Sequence, residues 1–205
     1  MISKEENIIL KAEKLFAENG FDGTSTREIA KAANINISMI AYYFGSKEKL
    51  LEKIFEYRMN QGIEYTTNIF ERNDINAWEK INLILTRYIE RVRNLKEFYL
   101  ILQREQINLK NPSIMELIRE SKKKFLITYS NILELGKKEG IFKHSPKVEF
   151  IHSTISGTLF AATNSTNLYK EFLGGSEDFE KEYYENLQKH LQELLKYLLG
   201  YEENL

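Results

Sequence analysis

The stretch from Gly20 to Leu51 reads GFDGTSTREIAKAANINISMIAYYFGSKEKLL and contains the signals for two short helices joined by a turn. Ser25 stands three residues before Glu28, which is the spacing of a capping box, where each side chain binds the backbone N–H of the other residue. Small and apolar residues follow at helical spacing up to Ala33. The pattern therefore predicts a helix that begins at Ser25 and ends near Ala33.

The turn after this helix is Asn34-Ile35-Asn36. Asparagine tolerates the left-handed backbone conformation, and a second asparagine can cap the helix that follows. That helix is predicted over about Ile37 to Phe44, and Gly45-Ser46 breaks it, with Ser46 capping a long fourth helix to about Arg72. Two short helices joined by a three-residue turn form the arrangement that lays one helix in the major groove of DNA while the other braces it.

The rest of the chain has helical spacing of apolar residues and no alternating pattern of useful length, so we predict an all-α fold of about nine helices. The two prolines, Pro112 and Pro146, each follow a polar residue at a position where a helix can begin. Gly20 is predicted to end the first helix in the left-handed conformation. The remaining helices are predicted at about Lys4–Asn19, Asn76–Asn94, Leu95–Asn108, Pro112–Glu139, Pro146–Phe172 and Asp178–Leu199.

The natural domain boundary lies where the three-helix head gives way to the long fourth helix. We predict a helix-turn-helix domain over residues 1–46 and a larger helical domain over residues 47–205. The net charge of the chain is −1, and the first fifty residues carry as many acidic as basic side chains. Contact with phosphates must therefore come from where cations and amides are placed, and not from a basic total.

The order of residues in the head resembles the signature of the TetR family of bacterial transcriptional repressors. The resemblance rests on Gly20-Phe21-Asp22-Gly23-Thr24, on Ser25-Thr26-Arg27-Glu28-Ile29-Ala30 and on Tyr42-Tyr43-Phe44-Gly45-Ser46-Lys47, and it covers about Ile8 to Leu51. It implies a ligand-responsive transcriptional regulator, in the usual family mode a repressor. Such a protein binds a palindromic DNA operator as a homodimer and is released by a small molecule.

The resemblance also implies which side chains meet double-stranded DNA. Family members place the start of the second helix, and both the start and the last turn of the recognition helix, against the duplex. A lysine at the start of the fourth helix holds a phosphate together with the amides of that helix. The residues at these positions are Thr26, Arg27, Asn36, Ile37, Ser38, Met39, Tyr42, Tyr43 and Lys47.

The head departs from the family pattern at a few positions. Asn34 stands where glycine is usual, and Ala41 stands where a tyrosine is common. The recognition helix, Ile37 to Phe44, has no Lys, Arg or Gln, so it cannot read bases through the usual bidentate contacts. Sequence specificity is then expected from apolar contacts with thymine methyls, from Asn36 or Ser38, and from DNA shape.

The last two helices are predicted to form the homodimer interface. Gly157 lies in a helix interior, where glycine costs about 1 kcal/mol relative to alanine, and this indicates a close approach of helices. By the family resemblance, these helices and their symmetry mates form a four-helix interface; the alternative is that they close the core of the monomer. The apolar stripe of the final helix is Phe179, Tyr183, Leu187, Leu191, Leu194, Leu195 and Leu198, and the small residues of the helix before it are Ser153, Ser156, Gly157, Ala161 and Ala162.

The middle helices are rich in aromatic residues with occasional polar groups, which is typical of a small-molecule site. The resemblance implies a pocket there for a small, largely apolar ligand. We expect Gln103, Tyr129, Phe160 and Asn164 to line it. A ligand in this pocket would shift the population of conformations by moving the fourth helix, which carries the head.

Other classes of protein are disfavoured by the sequence. The three histidines, His144, His152 and His190, lack the spacing of a local metal site, and no catalytic fingerprint is present, so neither an enzyme nor a cofactor is expected. The absence of cysteine and of a signal peptide or long apolar run favours a cytoplasmic protein that does not enter the membrane. The alternative left open is a helical ligand-binding or interaction protein without DNA binding.

Overall fold

The computed structural model describes residues 3–175 and 177–201, and this part of the chain contains nine α-helices and no β-strand. The predicted all-α fold is confirmed, and every predicted boundary lies within two residues of the observed one. The helices are α1 (Lys4–Asn19), α2 (Thr26–Ala33), α3 (Ser38–Phe44), α4 (Lys47–Glu71), α5 (Ala77–Asn94), α6 (Lys96–Asn108), α7 (Pro112–Lys138), α8 (Val148–Leu173) and α9 (Phe179–Leu199).

Local backbone signals set the ends of α2. The capping box at its start is confirmed, because Ser25 Oγ accepts a hydrogen bond from Glu28 N at 3.2 Å and Glu28 Oε2 accepts one from Ser25 N at 2.7 Å. The bond from the Ser25 backbone lowers the pKa of the Glu28 carboxyl, since it favours the charged form. At the other end, Asn34 adopts the predicted left-handed conformation, with φ 54° and ψ 51°.

Two local predictions were wrong. Gly20 has a positive φ of 76°, but its ψ of 168° is extended, so the chain leaves α1 without a left-handed helical residue. Helix α8 begins at Val148 and not at Pro146. Lys147 is extended, and its carbonyl accepts the first hydrogen bonds of the helix from Phe150 and Ile151, which leaves Pro146 outside.

The first of two compact units comprises the chain up to Ile63 together with Leu95–Lys122. Helix α1 packs against α2 and α6 in this unit. The rings of Phe55 in α4 and Phe98 in α6 meet edge to face in its core, with centroids 5.4 Å apart. The unit is thus assembled from two separate stretches of sequence; the predicted domain boundary between residues 46 and 47 stays a prediction.

A buried ion pair ties α4 to α1 within this unit. Arg58 Nε and Nη2 donate to the two carboxylate oxygens of Glu13, both at 2.8 Å, and both residues are buried. The planar guanidinium matches the carboxylate in a bidentate arrangement, which fixes the direction of approach as well as the distance. The first half of α4 is therefore held to α1 by a directional contact.

Removing one partner of this pair is expected to destabilise the protein strongly. Arg58→Met leaves the Glu13 carboxylate buried without its partner and should lower the free energy of unfolding by about 3–5 kcal/mol. The matched control is Lys14→Met, which breaks the exposed Lys14–Glu18 pair and should cost no more than about 0.5 kcal/mol. Chemical denaturation measures both, and equal effects would contradict the structural role given to Arg58.

The second unit comprises Glu64–Asn94 and the chain from Lys123 onward. Helix α5 packs against α8 and α9, and α8 packs against α9. In α9 the buried file is Tyr184, Leu187, Leu191, Leu195 and Leu199, whereas Tyr183, Leu194 and Leu198 are half-buried. The predicted stripe therefore contains two neighbouring rows of side chains. One row is buried in the core of the second unit, and the other is half-buried.

Aromatic contacts hold Tyr201, which follows α9, against other residues of the second unit. The Trp78 and Tyr201 rings stack with centroids 4.6 Å apart and an interplanar angle of 18°. Phe142 and Tyr201 form an isolated antiparallel bridge, and the Phe142 ring lies so close to Gly136 that a Cβ there would overlap it. Gly136 thus lets the segment around Phe142 lie against α7.

Candidate nucleic-acid interface and ligand cavity

Helix α3 has one buried side and one open side. Ile40 and Phe44 are buried, so they attach the helix to the head. Tyr42 lies on the opposite side and is 79% exposed, and Ile37, which precedes the helix, is 46% exposed. The helix therefore has an exposed side, as a recognition helix requires.

The remaining predicted residues of this region differ in their exposure. Asn36, Ser38 and Arg27 are exposed, and Thr26, Met39 and Tyr43 are half-buried. Each of these residues precedes or belongs to α2 or α3, so the structure brings them to two adjacent short helices. Their contacts with DNA stay predictions.

The two polar side chains at the start of α3 bind each other. Asn36 Oδ1 accepts hydrogen bonds from Ser38 N at 2.9 Å and from Ser38 Oγ at 2.8 Å. The predicted cap is thus not formed as such, because Ile37 occupies the N-cap position without a side-chain capping bond, and Asn36 binds only the first residue of the helix. The hydrogen bonds that the Asn36 side-chain amide can offer a base come from its N–H donors.

A chain of aromatic rings supports the exposed tyrosine. The Tyr42 and Tyr43 rings meet edge to face with centroids 5.1 Å apart, and the Tyr43 ring lies 6.1 Å from that of buried Phe44. Such edge contacts restrict ring rotation. Tyr42 is thereby presented to solvent from a supported position.

Lys47 has an internal role that sequence reasoning missed. Its Nζ donates to the carbonyl oxygens of Phe21 at 2.8 Å and Thr24 at 2.9 Å, and it lies 4.2 Å from the centroid of the Phe21 ring. Two of the three ammonium hydrogens are thus bound to the turn between α1 and α2. The predicted phosphate contact stays a prediction, and it would have to use the remaining hydrogen and the amides of α4.

Substitution of Lys47 is expected to reduce stability in the absence of DNA. Lys47→Met removes two charge-assisted hydrogen bonds to carbonyls and should lower the free energy of unfolding by about 2 kcal/mol. Lys49→Met is the control, because Lys49 is two residues away and its exposed side chain pairs with Glu52 of the same helix. If chemical denaturation shows no difference between these variants, the stabilising role of Lys47 is contradicted.

Arg104 is a second cation that the sequence did not reveal. Its Nη1 donates to the carbonyl oxygen of Ala17 at 2.6 Å, at the end of α1, a helix without a basic residue in its own last turn. A cleft of about 660 Å³ lies beside it. Burial, and then the nearby charge of Asp22, raise the pKa of Glu105 in this cleft. The wall carries more acidic than basic side chains, which makes it unsuited to an apolar ligand.

A narrow apolar cavity of about 20 Å³ lies among α5, α7, α8 and α9 in the second unit. This volume holds about one water molecule. Its walls are aliphatic apart from two tyrosines, and a small extension of it reaches His152. Residues that line it include Ile81, Leu85, Tyr88, Tyr129, Ile151 and Leu195.

The four predicted ligand-binding residues are placed differently. Tyr129 lines the apolar cavity, and its ring lies 6.5 Å from that of His152. Phe160 and Asn164 lie further along α8 and are not among the residues that line this cavity, and Gln103 belongs to α6 in the other unit. As ligand contacts, all four stay predictions.

The described part of the chain contains no cluster of metal-binding side chains and no membrane-spanning helix. No three His, Asp or Glu side chains between residues 3 and 201, position 176 excepted, stand close enough to hold a metal ion. No helix within those same bounds is long and apolar enough to cross a membrane.

Comparison with known proteins agrees with the geometry of the head. Residues 8–54 match the family model described as bacterial regulatory proteins, tetR family. The chain is 28% identical over 155 residues to the probable HTH-type transcriptional regulator YttP of Bacillus subtilis, covering 73% of this chain and 72% of that protein. It is 28% identical over 156 residues to the fatty acid metabolism regulator protein of the same organism, covering 76% and 79%.

A solved structure shows the same fold over nearly the whole chain. The transcriptional regulator FadR from Bacillus subtilis, in complex with stearoyl-CoA, superposes with a TM-score of 0.68 at 25% identity, covering 92% of this chain and 96% of FadR. The fold, the exposed recognition helix and these relatives define a helix-turn-helix transcriptional regulator and not an enzyme. The chain belongs to the TetR family of bacterial regulatory proteins.

Proposed function

We propose that this regulator is a repressor that binds an inverted-repeat operator as a homodimer and leaves it when an acyl-chain compound binds. The observation that carries the DNA-binding part is the open side of α3, where Tyr42 is 79% exposed on a helix anchored by buried Ile40 and Phe44. A tyrosine that is exposed on a short helix and held by a neighbouring ring offers a partner both an apolar ring and a hydroxyl group.

The proposed dimer uses the exposed side of α8. Phe150 and Phe172 are exposed there at helical spacing with Gly157 and Leu168 between them. Apart from the adjacent residues and the backbone of α8 itself, no atom of the described residues lies within 4 Å of the place where a Cβ at Gly157 would stand, so packing against other parts of the chain does not require the glycine. A second copy of the chain packed closely against this face would explain why the position is a glycine. A dimer with a two-fold axis implies an operator with two-fold symmetry.

The proposed ligand follows from the apolar cavity and from two relatives. The cavity walls are aliphatic and tyrosine side chains, with His152 near one end, which suits a hydrocarbon chain that carries a polar head. FadR from Bacillus subtilis has been solved with stearoyl-CoA, and the sequence comparison gives a fatty acid metabolism regulator protein of the same organism. Ligand pockets usually measure at least about 300 Å³, so a chain of this kind must part the helices, and binding is therefore tied to a change of conformation.

The first experiment tests DNA binding and dimerisation together. The full-length protein selects duplexes from a random pool, and we expect an inverted repeat. Tyr42→Ala should weaken binding to it about tenfold or more, because each head loses a contact worth about 1 kcal/mol. Ile107→Ala is the control, since Ile107 is equally exposed on α6. Gly157→Arg should fold, yet sediment as a monomer and bind the repeat poorly.

The outcomes separate the proposal from its rival. No enrichment of any duplex at low salt by folded protein would favour a ligand-binding or interaction protein without DNA binding. Enrichment of a site without two-fold symmetry, or an unchanged sedimentation coefficient for Gly157→Arg, would remove the dimer and leave the DNA-binding head.

The ligand is tested on the protein–operator complex. Addition of stearoyl-CoA is expected to release the duplex, because only a ligand with a higher affinity for the DNA-free conformation can shift the equilibrium. Coenzyme A without an acyl chain is the control and should have no effect. Release by coenzyme A alone, or no release by acyl chains of any length, would contradict the proposed ligand class.

A further inference from the structure

The last turn of α4 is closed by a residue of another helix. Helix α4 has no basic residue in its own last turn, and its final carbonyl groups have no partner within the helix. Lys80, near the start of α5, donates from Nζ to the carbonyl oxygens of Ile69 at 3.2 Å and Phe70 at 2.7 Å, and also to that of Arg72. All three ammonium hydrogens are thus directed to the end of α4.

This lysine is almost completely buried, with 2% of its surface exposed. Burial lowers the pKa of Lys80, because desolvation disfavours the ammonium form, while the carboxylates of Glu139 and Asp74 oppose that change. Burying a cation is tolerated only where its hydrogens are bound, so the contact between Lys80 and α4 is directional and cannot slide as an apolar contact can.

The same turn of α5 forms a wall of the apolar cavity. Ile81 follows Lys80 directly, and Leu85 and Tyr88 continue the wall along the helix. Helix α5 is also fastened at its first residue, where the backbone N–H of Ala77 donates to Glu139 Oε2 at 2.9 Å. A molecule in the cavity that displaces α5 therefore also displaces Lys80, which binds the end of α4.

The beginning of α4 is held in the head by two other cations. Lys47 binds the turn carbonyls of Phe21 and Thr24, and Arg58 binds Glu13 in α1. Helix α4 is continuous from Lys47 to Glu71. Its first part is thus bound to α1 and to the turn after α1, and its last turn is bound to α5.

We propose that Lys80 is the positioning residue that couples the cavity to the head, because its ammonium group makes the end of α4 follow α5. This inference rests on the proposed DNA-binding function but not on the identity of the ligand. Coupling between two sites is reciprocal, so DNA bound at the head must also alter the surroundings of α5.

Trp78 makes this coupling measurable without any ligand. It is the only tryptophan of the chain and lies two residues before Lys80, stacked on Tyr201. Titration of the full-length protein with its selected duplex should change the Trp78 emission. Lys80→Met should still bind the duplex within about threefold of the wild-type affinity but lose at least about two thirds of the emission change, since the head is intact and the link is broken.

Two further variants control the experiment. Arg93→Met removes another cation of the same helix, whose ion pair with Glu180 and ring contact with Tyr184 are both on α9 and not on α4, and should keep the full emission change. Lys80→Arg retains a cation with several donors and should restore much of it. Should Lys80→Met fail to fold, hydrogen exchange of the wild-type protein decides: residues 64–72 must change protection when DNA binds.

Each outcome has one meaning. If the wild-type protein binds no duplex, the proposed function fails and this inference fails with it. If it binds a duplex while the Trp78 emission and the protection of residues 64–72 stay constant, the function stands and the coupling is refuted. An emission change in Lys80→Met equal to that of the wild type also refutes the role of Lys80.

Discussion

Helix C-termini leave carbonyl groups that must find a donor, and at the ends of α1 and α4 a side chain of a different helix supplies one. Arg104 of α6 binds Ala17 at the end of α1, Lys47 of α4 binds the turn that follows, and Lys80 of α5 binds the end of α4. Neither α1 nor α4 has a basic residue in its last turn. The ends of these helices are consequently stable only when their neighbours are in place.

This use of cations also bears on the charge of the surface that the head exposes. The acidic and basic residues of the first fifty positions balance. Lys47, which the family resemblance assigns to a phosphate, is bound to carbonyls, and Arg58 is bound to Glu13. The open side of α3 presents hydroxyl, amide and apolar groups instead. Recognition by such a surface depends more on shape and close contact than on the release of counterions.

Most of the fold could be predicted from the sequence because its boundaries are set by local chemistry. The capping box of Ser25 and Glu28 and the left-handed Asn34 act within four residues and were read correctly. The failures have equally physical reasons. Pro146 is compatible with a helix start, but the first carbonyl acceptor proved to be that of Lys147.

The candidate site was less predictable because its parts are distant in the chain. Lys47 and Phe21 are 26 residues apart, and Arg104 lies 87 residues from Ala17, so no local pattern connects them. The family signature identified the open residues of α3, yet it gave Lys47 a role toward DNA and none toward the turn. The apolar cavity arises where four helices meet, and of the predicted ligand residues only Tyr129 stands in its wall.

The unit that contains the head is built from two stretches separated by residues 64–94, and this order matters while the chain is being made. When α1 to α3 leave the ribosome, α6 with its Phe98 and Arg104 has not yet been synthesised. The nascent head must wait, with one side of α1 uncovered, until the ribosome has passed residue 122. Premature release of the polypeptide before that point would yield a head that lacks its packing partner and is a substrate for chaperones or proteases, so truncated products of this gene would not accumulate as competing DNA-binding fragments.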